Sequence, residues 1–190
     1  MRYWLDMGAA GFRWDTVSVI YKTSFENGRL SLSRLPGSEQ YFSQRGGHTI
    51  LAELRRDVLD EYDAYTVGEM TEKASITTAK QFTTGELDTI FTFDHLRFDM
   101  FGLPFLPRSY RPSILKASLV KWQRALDWNT LFFENHDTER SLNRYAILGK
   151  HQTQGATMLA TLLLTLRGVP FIYQGEEIGM TNIEVNDLAD

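Results

Sequence analysis

Two periods of apolar residues alternate along the chain. Short runs rich in aromatic and β-branched residues recur at Gly11-Phe12-Arg13-Trp14-Asp15, Tyr65-Thr66-Val67-Gly68-Glu69, Thr89-Ile90-Phe91-Thr92-Phe93, Thr130-Leu131-Phe132-Phe133-Glu134 and Phe171-Ile172-Tyr173. Each is bounded by polar or turn-forming residues and reads as a strand. The segments between them carry the helical period. Met1 to Gly8 reads as the last turns of an amphipathic helix stopped at Gly8. Ile50, Leu51, Leu54, Val58 and Leu59 share one helix face, with Thr49 as the candidate cap. Further helices are expected around Ser75 to Phe82, from a Ser113 cap through about Leu126, and from Thr153 to Arg167, with Gly168 just past the end. The stretch from Tyr21 to Gly47 is rich in Ser, Gly and Arg, and Phe101 to Pro112 holds three prolines; both read as loop. Strands alternating with helices predict an α/β fold with βαβ units and a parallel sheet. The pattern alone leaves open whether that sheet is open or closed into a barrel.

Composition narrows the function classes. The chain has 190 residues, 43% hydrophobic and 23% charged, as expected of one globular domain. Its net charge of −4, with no long run of one sign, argues against a nucleic-acid partner. The absence of cysteine excludes disulfides and thiolate metal sites and fits a reducing cytoplasm, the expected location. No stretch approaches the roughly 20 apolar residues of a membrane span. The most apolar run, Ala156 to Leu166, is interrupted by Thr157, Thr161 and Thr165. Glu176 and Glu177 invite a metal reading, but adjacent side chains converge poorly on one ion, so they read as loop structure. Neither metal nor cofactor is expected.

The chemistry lies at the strand ends. Asp15 closes the first strand, Glu69 the second, and Asn135-His136-Asp137 follows the fourth. Parallel strands aim their C-terminal ends at one face, which is the active-site face of a barrel. A lone Asp after an apolar strand is usually a helix cap or turn former. Three carboxylates converging on one pocket instead suit glycoside hydrolysis. Arg13 lies two residues before Asp15 and so shares its side of the strand.

These residues resemble a known family. Gly11 to Asp15 is similar to the nucleophile motif of the α-amylase family of glycoside hydrolases, Val67-Gly68-Glu69-Met70 to its general-acid motif, and Phe133 to Asp137 to the motif of its transition-state-stabilising aspartate. Gly168 to Met180, together with Gly85 to Asp88 and Phe91 to His95, resembles the oligo-1,6-glucosidase and α-glucosidase branch. The resemblance covers essentially the whole chain.

It implies a partial (β/α)8 TIM barrel, roughly strands 4 to 8 with their helices, forming the C-terminal part of the catalytic domain. The family's earlier strands, its inserted small domain and its C-terminal β-domain have no counterpart here, nor does its earlier Asp/His motif. The implied activity is retaining hydrolysis of short α-glucosides or oligosaccharides. Asp15 would be nucleophile, Glu69 general acid/base and Asp137 transition-state stabiliser. Arg13, His136, Thr16 and Arg140 would line the substrate, with Thr16 favouring α-1,4 over α-1,6 links. Transglycosylation, sucrose isomerisation and trehalose-phosphate hydrolysis use the same intermediate and are the alternatives, beside a non-catalytic transporter heavy chain. A barrel usually needs about 250 residues. The isolated chain is therefore expected to be inactive and, with unpaired sheet edges, prone to self-association.

Overall fold

The computed structural model describes residues 1–29, 36–70, 75–96 and 111–183. In chain order these hold α1 (Arg2–Asp6), β1 (Gly11–Trp14), α2 (Arg45–Leu54), β2 (Tyr65–Glu69), α3 (Ile76–Phe82), β3 (Thr89–Phe91), α4 (Pro112–Ala125), β4 (Thr130–Leu131), α5 (Ser141–Arg144), α6 (Gln152–Thr165) and β5 (Val169–Pro170). All the pairings are parallel. β1, β2 and β3 form one sheet and β4 and β5 a second. The two sheets meet where Thr130 Oγ1 donates to the Ile90 carbonyl at 2.7 Å and His95 Nε2 to the Phe132 carbonyl at 2.6 Å.

Strand alternation sorts the side chains into two layers. One face packs on the helices. There Val17, Leu51, Met70, Phe82, Leu87 and Ile90 form one cluster, and Leu131, Phe133, Leu142, Leu159 and Leu163 another. The opposite face carries Val67, Phe91, Leu96 and Phe132, with Phe93 and Phe171 against them. Arg13 is in register with Val67, and Glu69 with Phe91, so both belong to this second face. At the N-terminal ends of β2 and β3, Asp88 Oδ2 accepts from Thr66 N at 2.7 Å, Thr66 Oγ1 at 2.8 Å and Arg55 Nη2 at 2.9 Å. Burial opposes ionisation of Asp88, but these donors outweigh it and hold its pKa below the usual value. The network ties strands together at the end away from Asp15 and Glu69.

Several boundaries differ from the sequence expectation. α2 starts at Arg45, and Thr49 does not cap it. Its hydroxyl donates to the Arg45 carbonyl at 3.2 Å, inside the helix. The helix then widens into a π turn over Arg55–Leu59; Leu51 and Leu59 are buried while Ile50 is exposed. α4 opens on Pro112, whose missing N–H and fixed φ suit the first helical position. Ser113 therefore lies inside the helix, and the long loop reading fails at Pro112; residues 101–110 of that stretch lie outside the described residues. α6 ends at Thr165, and Arg167 lies beyond it, donating to the Gln123 and Leu126 carbonyls at the end of α4. β4 is two residues long, and β5 falls on Val169–Pro170 instead of 171–173. The helix expected around Ser75 to Phe82 forms as α3, and Ser75 caps it by accepting from Thr78 N at 3.0 Å. Among the described residues, no helix is long and apolar enough to cross a membrane.

Candidate active site

The chain turns sharply where β1 ends. Asp15 and Thr16 form the turn, with Thr16 in the left-handed region at φ 43° and ψ 41°. That conformation is costly for a β-branched residue, so Thr16 is not a strand residue. The turn leaves the Asp15 side chain 68% exposed, whereas that of Glu69, at the end of β2, is 7% exposed. Arg13 bridges them. Its Nη1 donates to Asp15 Oδ1 at 2.9 Å and its Nη2 to Glu69 Oε2 at 2.5 Å.

The environments of the two carboxyls push them in opposite directions. The neighbouring Glu69 carboxyl lowers the Asp15 pKa most, with Arg13 adding to the effect and His136 a smaller part, against a weaker opposing push from burial. Burial raises the Glu69 pKa, and its contact with Asp15 raises it further. Arg13 and the Thr16 backbone N–H pull the other way without reversing it. Of the two carboxyls, Glu69 is therefore the one that holds a proton more readily and Asp15 the one that ionises more readily.

The loop after β4 brings the next group. Asn135 Oδ1 accepts from Asp137 N at 3.0 Å and from Thr138 Oγ1 at 2.8 Å, an Asx turn that holds His136 and Asp137 outward. His136 Nε2 and Asp137 Oδ2 lie 3.2 Å apart, and both side chains are exposed. His136 shares a cleft of about 180 Å³ with Arg13, lined also by Phe91, Phe132, Phe171 and Tyr173. The structure thus brings Asp15, Glu69 and Arg13 into direct contact, and His136 to the same cleft. Asp137 joins through His136.

Arg140 is tied elsewhere. Its Nη1 donates to Glu134 Oε2 and to the Gln174 carbonyl, both at 2.8 Å, and its guanidinium lies 4.9 Å over the Tyr173 ring. Glu134 was not singled out by sequence. It is 3% exposed, and its other oxygen accepts from Ser141 N at 2.9 Å and Ser141 Oγ at 2.8 Å. A carboxylate closing an apolar run was the available signal, since a buried charge must be paired. Glu176 and Glu177 accept from Tyr173 N at 3.0 Å and Gly175 N at 2.8 Å, and so serve the loop itself. Burial pushes the Glu176 pKa up to about 7. Among the described residues, no group of three or more His, Asp or Glu side chains could hold a metal ion.

The profile of the family described as "Alpha amylase, catalytic domain" matches residues 1–190. The chain belongs to this family. The family's TIM barrel accounts for the parallel strands and for the polar residues gathered at their C-terminal ends. An oligo-1,6-glucosidase of Parageobacillus thermoglucosidasius is 37% identical over 200 residues, covering 100% of this chain and 35% of that protein. The crystal structure of Bacillus licheniformis trehalose-6-phosphate hydrolase superposes with a TM-score of 0.87 at 36% identity, covering 100% of this chain and 35% of the other. The trehalulose synthase MutB gives a TM-score of 0.84 at 33% identity, over 99% of this chain and 35% of the other. The chain thus spans about a third of the length of the proteins it matches.

Proposed function

We propose that this chain supplies the nucleophile and the general acid/base of a retaining glycoside hydrolase acting on short α-glucosides. The observation that carries the reading is the Arg13 bridge between Asp15, whose pKa is lowered, and the buried Glu69, whose pKa is raised. Retaining glycosidases place their two carboxyls about 5–5.5 Å apart, and inverting ones about 6.5–9.5 Å, with room for a water between. Carboxyls held by the two arms of one guanidinium, at 2.9 and 2.5 Å, support the closer, retaining spacing.

In the first step a carboxylate oxygen of Asp15 attacks the anomeric carbon while the bond to the leaving oxygen breaks. Glu69 gives its proton to that oxygen, leaving a β-glucosyl ester on Asp15. In the second step Glu69, now a carboxylate, takes a proton from water. The water oxygen attacks the anomeric carbon, and Asp15 departs as a carboxylate. Arg13 keeps Asp15 ionised before the attack and after its departure, and oriented throughout. Asp137 and His136 bind sugar hydroxyls at the mouth of the cleft and favour the distorted, oxocarbenium-like ring. The raised Glu69 pKa fits a group that must be acid first and base second.

The strands correspond to roughly the fourth to eighth of the barrel, so residues 1–190 form the C-terminal part of the catalytic domain. Thr16, beside the acceptor position, favours α-1,4 links. The test is hydrolysis of p-nitrophenyl α-glucoside, maltose, isomaltose, sucrose and trehalose 6-phosphate, by the 190-residue chain and by the product of its full reading frame. The reading expects turnover by the full product, maltose preferred to isomaltose, loss of activity in Asp15→Asn, and negligible activity of the 190-residue chain alone. Full activity in Asp15→Asn would overturn the assignment. A product that isomerises sucrose or prefers the phosphorylated sugar would favour the alternatives.

A further inference from the structure

Residues 134–140 leave β4 and return to α5, and their two ends are joined by a single ion pair. Glu134 Oε2 and Arg140 Nη1 lie 2.8 Å apart, with side chains 2% and 19% exposed. His136 and Asp137 sit between these ends. The same Arg140 Nη1 donates to the Gln174 carbonyl at 2.8 Å, its guanidinium lies over Tyr173, and its backbone N–H donates to Asn182 Oδ1 at 2.9 Å. Asn182 N in turn donates to Asn143 Oδ1 at 2.7 Å. One residue therefore buckles the His136 loop to the segment that follows β5. Both hydrogens of Nη1 are committed, one to each segment, and Glu134 has no exposed oxygen with which to meet a sugar.

We propose that Glu134 and Arg140 are positioning residues, a buried strap that sets where His136 and Asp137 meet the substrate. Neither touches the sugar; they act through the loop they close. The role rests on the glucosidase reading above, and a misplacement of about 1 Å in a reacting group can cost on the order of 10²-fold in rate. Because Asp137 acts on the transition state, loosening the strap lowers kcat and leaves KM nearly unchanged. A direct sugar contact by Arg140 would instead raise KM. Because both residues serve one strap, the double variant is no worse than the more damaging single variant.

The test uses the full reading-frame product carrying Glu134→Gln, Arg140→Lys, Arg140→Gln, the double Glu134→Gln/Arg140→Gln, and Arg56→Gln as a surface ion-pair control. Two readouts are taken: steady-state kinetics on p-nitrophenyl α-glucoside, and the imidazole resonances of 15N-labelled His136. The expected result is a kcat roughly 10- to 100-fold lower in the strap variants, non-additive in the double, with displaced His136 resonances and no change in Arg56→Gln. The double variant leaves no unpaired buried charge, so it stays informative if a single variant fails to fold. Unmoved His136 resonances, or a raised KM at constant kcat, would overturn the strap. Asp15→Asn separates the two failures. If it retains turnover, the glucosidase reading falls, and the resonances alone decide the strap. If it abolishes turnover while the strap variants stay within about twofold of wild type in kcat, the strap alone is refuted.

Discussion

Gly68 immediately precedes Glu69 in β2 and points to the helix-covered face. A Cβ there would lie 2.5 Å from Leu87 Cδ1 and 2.7 Å from Val17 Cγ1, with Val17 Cβ at 3.4 Å. Ordinary carbon contacts are about 3.5–4.0 Å, so the added methyl overlaps both neighbours by about 1 Å. Leu87 is 3% exposed and Val17 1%. The Leu87 methyl can rotate away, but Val17 is branched at Cβ, buried, and held among Leu51, Met70 and Ile90. Overpacking of this kind costs about 1–3 kcal/mol. For a chain of this size each kcal/mol lowers Tm by about 2–4 °C, so Gly68→Ala should melt roughly 2–12 °C lower. Local propensity predicts the opposite sign, since replacing Gly by Ala inside a strand normally gains about 0.5–1 kcal/mol. Val17 follows the Asp15 turn by two residues and Gly68 adjoins Glu69, so the strain spreads the two carboxyls apart and lowers kcat as well. Melting followed by circular dichroism, with kinetics on the same samples, makes the check. A Tm within about 1 °C of wild type and an unchanged kcat would refute this account of how the pair is packed.

Three further outcomes follow from the same structure. Burial raises the Glu176 pKa to about 7 from a model-peptide 4.5, so the folded state binds the extra proton and this group's contribution to stability falls as pH rises from 4.5 to 7. Glu176→Gln should therefore gain stability over wild type above pH 7, seen as a higher urea midpoint; equal midpoints at pH 8 would contradict it. His95, buried and lowered to about 4 from 6.5, works in the other direction. It stays neutral in the fold, and its full contribution, present above 6.5, is lost as pH falls from 6.5 to 4, by about 3 kcal/mol. Urea melts across this range should show the acid loss more steeply in Glu176→Gln, where the opposing carboxyl is gone. Phe133, 2% exposed and edge-on to Tyr145 at 6.2 Å, should cost about 3–5 kcal/mol as Phe133→Ala in the same melts.

The grouping of the polar residues was more legible in the chain than the element boundaries were. Asp15, Glu69 and Arg13 could be placed together because strand period and strand direction are local properties. Their opposite pKa shifts follow from an exposure difference that strand period does not carry: Glu69 is buried while the Thr16 turn leaves Asp15 in water. The cap assigned to Thr49 failed because hydrophobic spacing marks where a helix is buried, not where its backbone begins. Pro112 was read as a breaker, yet at the first position of α4 its missing N–H breaks no hydrogen bond. Glu134, and its pairing with Arg140, were hidden for a different reason. Their partners are the β5 loop and Ser141, and no one-dimensional pattern shows that a carboxylate at a strand end is buried rather than facing substrate.

The central claim is that Asp15 forms a glucosyl ester with help from Glu69. A slow-turnover fluorinated α-glucosyl fluoride, incubated with the full reading-frame product and followed by peptide mass mapping, tests it most directly. The account predicts one fluoroglucosyl adduct on the peptide carrying Asp15, absent in Asp15→Asn and slow to form in Arg13→Gln. An adduct on a different carboxylate, or unimpaired glucoside turnover by Asp15→Asn, would contradict it.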